Sequence, residues 1–352
     1  MAASGANPEV LVRPVLSPAR RPLWRDEQTL QLGEAEGRAV VLTGLHPRDR
    51  AVLALLDGTR DLAGVLRDAV GAGCDAERAT ELVRLLQRAG ALVDARDRWP
   101  PRLTVAERDR LAGDVASLGL LHGGAGLTAL RRRDQAAVVV VGAARIGAPL
   151  AGLLACAGVG TVDVVDDGVA RAEDAGVGGL QPEDVGRRRA DAARERLRAL
   201  APSTRSGFVA RPSLVVLTSP QRDDRAGRAL LDSGVPHLRV AVHETVGVVG
   251  PLVLPGTSAC LHCLDLERSD RDPDWPALLA QQVGAPQGPG ACDATLAAAV
   301  AAQAALQVLA LLDGSTPASV GGSLELALPD WRWRRRTWER HPACSCRWPA
   351  AG

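Results

Sequence analysis

The stretch AAVVVVGAARIGAPLAGLLACAGVGTVDVVDDG, residues 136–168, decides the fold. An unbroken run of valines suits a strand buried on both faces, as in a parallel sheet, because no position has to meet water. Gly142 turns the chain, Gly147 opens an apolar helical segment, and TVDVV returns as a second strand ending at Asp166 and Asp167. This is one βαβ unit. A glycine turn feeding a helix start is where backbone N–H groups can hold a phosphate. Asp166 stands nineteen residues after Gly147, close to the roughly 20 at which an acid reaches a ribose hydroxyl.

The G-x-G-x-x-G fingerprint is incomplete. Its second glycine lets the backbone approach a pyrophosphate; here that position is Ala144, with Arg145 between it and Gly147. The extra methyl lies where a phosphate would sit. Two readings stay open: a working nucleotide site, and a Rossmann-like unit that no longer holds a nucleotide.

Working outward, 352 residues suffice for two or three domains with a sizeable core. A formal charge of +1 carries no global basic field for nucleic acid or an anionic membrane. Every basic residue is Arg and there is no Tyr, a composition that reads as codon bias. The N-terminal residues 1–21, rich in proline, read as a disordered lead-in without a signal-peptide core. The run ATLAAAVAAQAALQVLALL from Ala294 is interrupted by Gln303 and Gln307 and reads as a core helix, not a membrane span. The expected location is the cytoplasm, where seven unevenly clustered cysteines mean metal or thiol chemistry and not a disulfide framework.

Residues 22–95 read as a small winged-helix-like module of two short strands, LWRDEQTLQLG and RAVVLTGL, followed by three helices, with Asp75 as an N-cap and Gly58 and Gly90 as stops. The third helix mixes Glu77, Arg78, Glu81, Arg84 and Arg88, which argues against DNA. The other use of such a module is an open strand edge, at Val40, Val41 and Leu42, that accepts an extended peptide, with Arg84 and Arg88 on the facing helix for an acidic partner. A packing or dimerisation role is the plain alternative. Residues 96–135 read as a helical linker, with a helix capped at Thr104, a loop HGGAGLTALRRRDQ, and Arg131 to Arg133 as a solvated cluster or an anion contact.

Residues 136–352 form the remaining domain. A charged helix RRRADAARERLRAL closes at Pro202, and only about a dozen residues precede the strand PSLVVLTSP, too few for another strand and helix. Cys260 and Cys263, in CLHC, and Cys344 and Cys346, in CSC, are two close thiol pairs, the pattern of a closed tetrahedral zinc site. The short second pair leaves His341 or His262 as substitutes for one sulfur, and reduced, metal-free thiols as the alternative. Cys292 precedes the Ala-rich helix, whose N-terminus can lower a thiol pKa. Trp331, Trp333 and Trp338 interleave with Arg332, Arg334, Arg335 and Arg336, which reads first as a partly exposed strand and second as a base-stacking surface.

In order, GAARIGAP, VVDD, EDVGRRRADAARERLRALAP, CLHC, ACDATLAAAVAAQAALQVLALLDG and the last cysteine pair resemble the ThiF-type family, relatives of ubiquitin-activating enzymes, over residues 136–347. The resemblance implies an α/β, Rossmann-like fold with a mainly parallel sheet. It implies ATP and magnesium as cofactors, adenylation of the C-terminal carboxylate of a ubiquitin-like or sulfur-carrier protein, and a homodimer. By resemblance, Gly142 and Gly147 form the glycine loop, Asp166 the ribose acid, Arg189 takes the place of a phosphate-contacting Lys, Cys260 and Cys263 the zinc pair, and Cys292 a catalytic cysteine. The module resembles PqqD-type peptide-recognition domains, and the whole resembles leader-peptide-binding partners of azole-forming (TOMM) cyclodehydratases of the YcaO type. Two family features are missing: a phosphate-binding Arg has no counterpart between Arg171 and Arg187, and the strand end that should carry a magnesium Asp reads Ser219 and Pro220. The expectation is a leader-peptide-binding protein with a degenerate ATP site. The alternatives are an active adenylyltransferase using Asp223 or Asp224, and a zinc-stabilised DNA-binding regulator.

Overall fold

The computed structural model describes residues 11–218, 224–284 and 292–347. The chain divides into two units, residues 1–131 and 132–352.

Along the first unit run β1 (Pro14–Leu16), β2 (Pro22–Trp24), β3 (Leu30–Leu32), β4 (Val40–Leu42), α1 (Asp49–Leu55), α2 (Leu62–Gly71), α3 (Ala76–Arg88), β5 (Leu92–Asp94) and α4 (Val105–Leu121), with α5 (Gly126–Gln135) crossing the boundary. The strands β2, β3 and β4 form an antiparallel sheet in that order, so β4 is an edge. Leu30 and Leu32 of the central strand bury against Val52, Val65, Leu82 and Leu86 of the helices. The helix ends fall where side-chain oxygens replace missing backbone partners: Asp61 caps α2, Asp75 accepts from Arg78 N, and Thr104 and Glu107 form a reciprocal capping box.

Three expectations change here. The segment expected as a disordered lead-in carries β1, held antiparallel to β5 with Pro14 opposite Asp94 and Val12 N donating to Asp94 Oδ2 at 2.7 Å. The stretch expected as the module's first strand is a hairpin, β2 and β3. The stretch HGGAGLTALRRRDQ, expected as a loop, contains α5, and one of its arginines leaves the expected solvated cluster: Arg132 is exposed, but Arg133 is buried in a two-point ion pair with Asp313, both contacts 2.7 Å.

The second unit holds β6 (Ala137–Val141), α6 (Gly147–Cys156), β7 (Thr161–Val165), α7 (Arg189–Leu200), β8 (Leu214–Leu217), α8 (Asp224–Asp232), β9 (His237–His243), β10 (Val246–Val253), α9 (Leu261–Arg271), α10 (Trp275–Gly284), α11 (Ala294–Leu312), β11 (Gly322–Ala327) and β12 (Trp333–Thr337). One seven-stranded sheet has the order β12-β11-β10-β9-β8-β6-β7. The block β7-β6-β8-β9 is parallel, the α/β Rossmann-like core, and β9 to β12 extend it antiparallel. Val138, Val140, Val162 and Val164 turn one face of that core towards Leu150 and Leu154 of α6, Ala193 and Leu197 of α7, and Val300 and Ala304 of α11. Among the described residues α11 is the one helix long and apolar enough to cross a membrane, and it is spent on this core.

Candidate functional site

Three places gather the residues singled out above. The first is the cysteine cluster. The chain enters α9 at Cys260, its N-cap, and one turn later presents Cys263, while the C-terminal tail after β12 brings Cys344 and Cys346 alongside. All four sulfurs are buried and lie within 4.8 Å of one another: Cys260 to Cys263 is 3.7 Å, Cys260 to Cys344 is 3.6 Å and Cys263 to Cys346 is 3.3 Å. A tetrahedral tetrathiolate with metal–sulfur bonds of about 2.3 Å sets its sulfurs about 3.8 Å apart, so the cluster fits a four-coordinate metal ion with no open position. The histidine substitutes are excluded by what they touch. His341 Nε2 meets Asp270 Oδ2 at 2.8 Å and its Nδ1 accepts from Ala343 N, while His262 is exposed. The hydrogen bond from Cys260 pulls the Cys263 thiol pKa down, and burial pushes that of Cys344 up.

The second place is the glycine loop at the ends of β6, β7 and β8. Gly142 takes φ +99°, the left-handed conformation that glycine tolerates. A Cβ at Gly147 would collide with the Gly142 carbonyl and stand 2.6 Å from Thr218 Oγ1, so only glycine fits. That hydroxyl, which sequence reasoning passed over, donates towards the Val141 and Gly142 carbonyls at 3.0 and 2.9 Å and straps the loop to β8.

The charged residues of this loop satisfy each other. Asp166 Oδ2 accepts from Ala143 N at 2.7 Å, while Oδ1 accepts from Gly168 N at 2.7 Å and Arg189 Nε at 3.0 Å. Arg189 lies against Gly168 and also reaches Asp174 Oδ2 at 3.3 Å. Burial pulls the Arg189 guanidinium down, but the two carboxylates outweigh it and raise it overall. Both groups expected to meet a nucleotide are thus nearly buried on internal partners. Asp174 had no signal in the sequence beyond its place in a one-turn helix, Ala172–Asp174. Among the described residues no three His, Cys, Asp or Glu side chains converge here for magnesium. Ser219, Pro220, Asp223 and the side chain of Asp224 lie outside the described residues.

Cys292 lies just before α11, two residues ahead of its first helical residue. Asp293 takes the N-cap of α11, and burial raises the thiol pKa against the pull of Arg145. Arg145 Nη1 donates to the Cys292 carbonyl at 2.7 Å, so the Arg of the glycine loop anchors this segment.

The third place is the edge of β4 beside α3. Arg78, near the start of α3, donates to the Gly44 carbonyl at 2.8 Å, and Arg20 links the Ala89 and Gly90 carbonyls beyond its end to that of Arg38, at 3.4, 3.4 and 3.1 Å. Strand and helix therefore run alongside each other in opposite directions, tied at both ends. Between the ties Val41 is 41% and Leu85 44% exposed, and Arg84 and Arg88 are exposed, whereas Leu82 and Leu86 belong to the core. Arg78 is itself fixed by buried Asp49. Burial pushes that carboxyl up, but Arg78 and His46 N pull it below its usual range. Of the tryptophans, Trp338 is buried with Nε1 on Ser323 Oγ at 3.0 Å, and β12 is an edge strand as expected, but exposed at every position and not on one face alone.

Residues 120–347 match the ThiF family. The chain belongs to it. Solved structures share the ThiF fold together with the first unit: E. coli MccB in complex with N-formylated MccA (TM-score 0.71, 15% identity, 95% of this chain and 99% of that one) and MccB with ATP (0.69, 15%, 95% and 99%). A further likeness is to PaaA (0.69, 18% identity, 91% and 99%). No curated protein matches in sequence. At these identities the likeness is one of fold.

Proposed function

We propose that this ThiF-family protein binds the leader of a ribosomal precursor peptide along the β4 edge and α3, and presents it to a separate modifying enzyme, a YcaO-type cyclodehydratase, in the cytoplasm. The observation that carries the reading is the tied strand and helix, which leave a free edge, two exposed apolar side chains and two exposed arginines in one strip. An extended peptide gains main-chain hydrogen bonds from such an edge and specificity from the wall beside it. Shared architecture over both units with the biosynthetic enzyme MccB, solved in complex with N-formylated MccA, supports a partner held in this way.

In this reading the nucleotide site is degenerate. Adenylyl transfer needs cations and magnesium on the phosphates, and Arg189 is committed to Asp166 and Asp174. The four cysteines hold structural zinc that pins the C-terminal tail, and the ThiF half forms a homodimer. The second reading, an active adenylyltransferase, is favoured by the intact Gly142 turn and by the likeness to MccB solved with ATP.

Anisotropy of labelled leader peptides encoded beside this chain tests the first reading on the full-length protein. Arg84→Glu with Arg88→Glu should weaken binding about tenfold, or ~1.4 kcal/mol, at unchanged melting temperature. Unaltered affinity would move recognition elsewhere. Pyrophosphate exchange with the same peptides and ATP should be absent, and exchange lost in Asp166→Ala would restore the enzyme.

A further inference from the structure

The winding of the large sheet dictates where its crossover helices lie. α6 carries the chain from β6 outward to β7, and α6 and α7 pack on the face of Val138, Val140, Val162 and Val164. α8 carries it the other way, from β8 to β9, so it lies on the opposite face, where Ala226, Ala229 and Leu230 border the same cavity as Val139 and Val215. In a parallel sheet with both faces covered, the return from the outer strands to β8 supplies a helix on that opposite face. Here the return is residues 201–213, which hold a single bridge, Arg205 to Thr161, and no helix. β7 is left as the sheet's edge, and among the described residues no helix covers the opposite face of β6 and β7, which Phe208, Val209 and Pro212 border on one side and α8 on the other.

A cavity of about 370 Å³ opens over that face, lined by Val139, Val141, Val165, Phe208, Val215 and Leu217 among others. Phe208, the one phenylalanine in the chain, is 93% exposed and Val165 47%. The one carboxylate lining it, Asp163, presents no free charge: Arg194 Nε, Ser206 Oγ and Gly207 N hold it at 3.0, 3.1 and 3.0 Å. In the chain on either side of the lining residues Phe208 and Val209, Arg205 and Arg211 are exposed, and residues 203–218 contain no acid. Exposed Asp167 stands at the far end, beyond β7.

We propose that this cavity receives an amphipathic helix from a partner protein, with an aliphatic face for the cavity and acidic residues on the flank that meets Arg205 and Arg211. The missing element is a helix, and the cavity lies over the sheet, not along its edge. Strand addition is blocked at the start of β7, where Arg205 already bonds to Val162 N and the Gly160 carbonyl at 2.9 and 3.0 Å. A second copy of this chain is disfavoured because a two-fold contact through this patch would bring its arginines together.

The test uses the full-length protein and fluorescein-labelled synthetic helices of about 18 residues, with a Leu/Ile face and either Glu or Lys flanks. The Glu-flanked helix should bind about tenfold or more tightly than the Lys-flanked one. Arg211→Glu should reverse that order, and Phe208→Ser should weaken binding about tenfold without changing the melting temperature. Failure of both helices to bind, or binding indifferent to flank charge and to Phe208→Ser, overturns the proposal. So does displacement of the helix by ATP, which would give the cavity to a nucleotide base, or self-association lost in Phe208→Ser, which would give it to a second copy.

Discussion

At the cysteine cluster, four buried sulfurs face one another with only weak thiol contacts between them. At the glycine loop, Arg189 bridges Asp166 and Asp174 through charged contacts at 3.0 and 3.3 Å. Both are motif-bearing clusters of the same unit, built at the ends of its strands and helices. The difference is what each leaves unsatisfied. Like donors buried together call for a cation to justify their burial, whereas opposite charges buried together complete each other and leave nothing for a ligand to satisfy. A motif names the positions; the internal partners decide whether those positions are free.

The largest effect expected from this contrast is at the cysteines. The purified protein should hold about one equivalent of zinc, and Cys260→Ser should release it and expose the tail after Thr337 to proteolysis. Metal binding at such sites is worth on the order of 10 kcal/mol and couples directly to local folding. Metal analysis that finds none in the wild type would erase the contrast.

At the glycine loop the expected effect is smaller and of another kind. Asp166→Ala leaves Arg189 with Asp174 alone and strands two backbone N–H groups, so it should cost about 3 kcal/mol of stability in chemical denaturation. It should leave ATP titrations as flat as in the wild type at millimolar concentration. Micromolar ATP binding by the wild type, abolished in Asp166→Ala, would mean that a nucleotide can displace Arg189 and that the Arg189 bridge is a resting state.

How much of this was legible follows from how local each feature is. The valine run of β6, the turn at Gly142, the caps Asp75 and Thr104 and the spacing of Cys260 and Cys263 are written within a few residues, and all could be read. β1 could not, because a proline-rich segment becomes a strand only through residues 92–94, far along the chain. α5 is preceded by Gly123 and Gly124 and ends in arginines that look solvent-bound until Asp313 arrives from the other end of the unit. The same distance hides the fate of the nucleotide motif. Asp166 and Arg189 were recognisable, but that they bond to each other and to Asp174 is a property of the fold. Cys292 likewise has its pKa set by burial and by Arg145, which its neighbours in sequence do not announce.

The smallest effect separates the two kinds of cluster by pH. Protons compete with the metal for thiolates, so the cysteine site should release its ion as the solution is acidified towards pH values still above 4. Two buried, paired carboxylates outside the glycine loop behave differently. Burial pushes Asp163 up, but Arg194 and Ser206 outweigh it and hold its pKa below 3.8; burial likewise raises Asp184, and Gln181 N, Arg196 and Arg187 bring it below 3.8. A carboxyl depressed on folding stabilises the fold fully above its unfolded value and loses that contribution only as pH falls through the lower folded value. The sheet should therefore survive metal release and melt only below about pH 4. Following a zinc-indicator dye and far-ultraviolet circular dichroism through one acid titration gives both transitions. Two separate steps, metal first, sharpen the contrast, while a single coincident step would mean that the metal holds the whole unit together and that the two clusters are not independent.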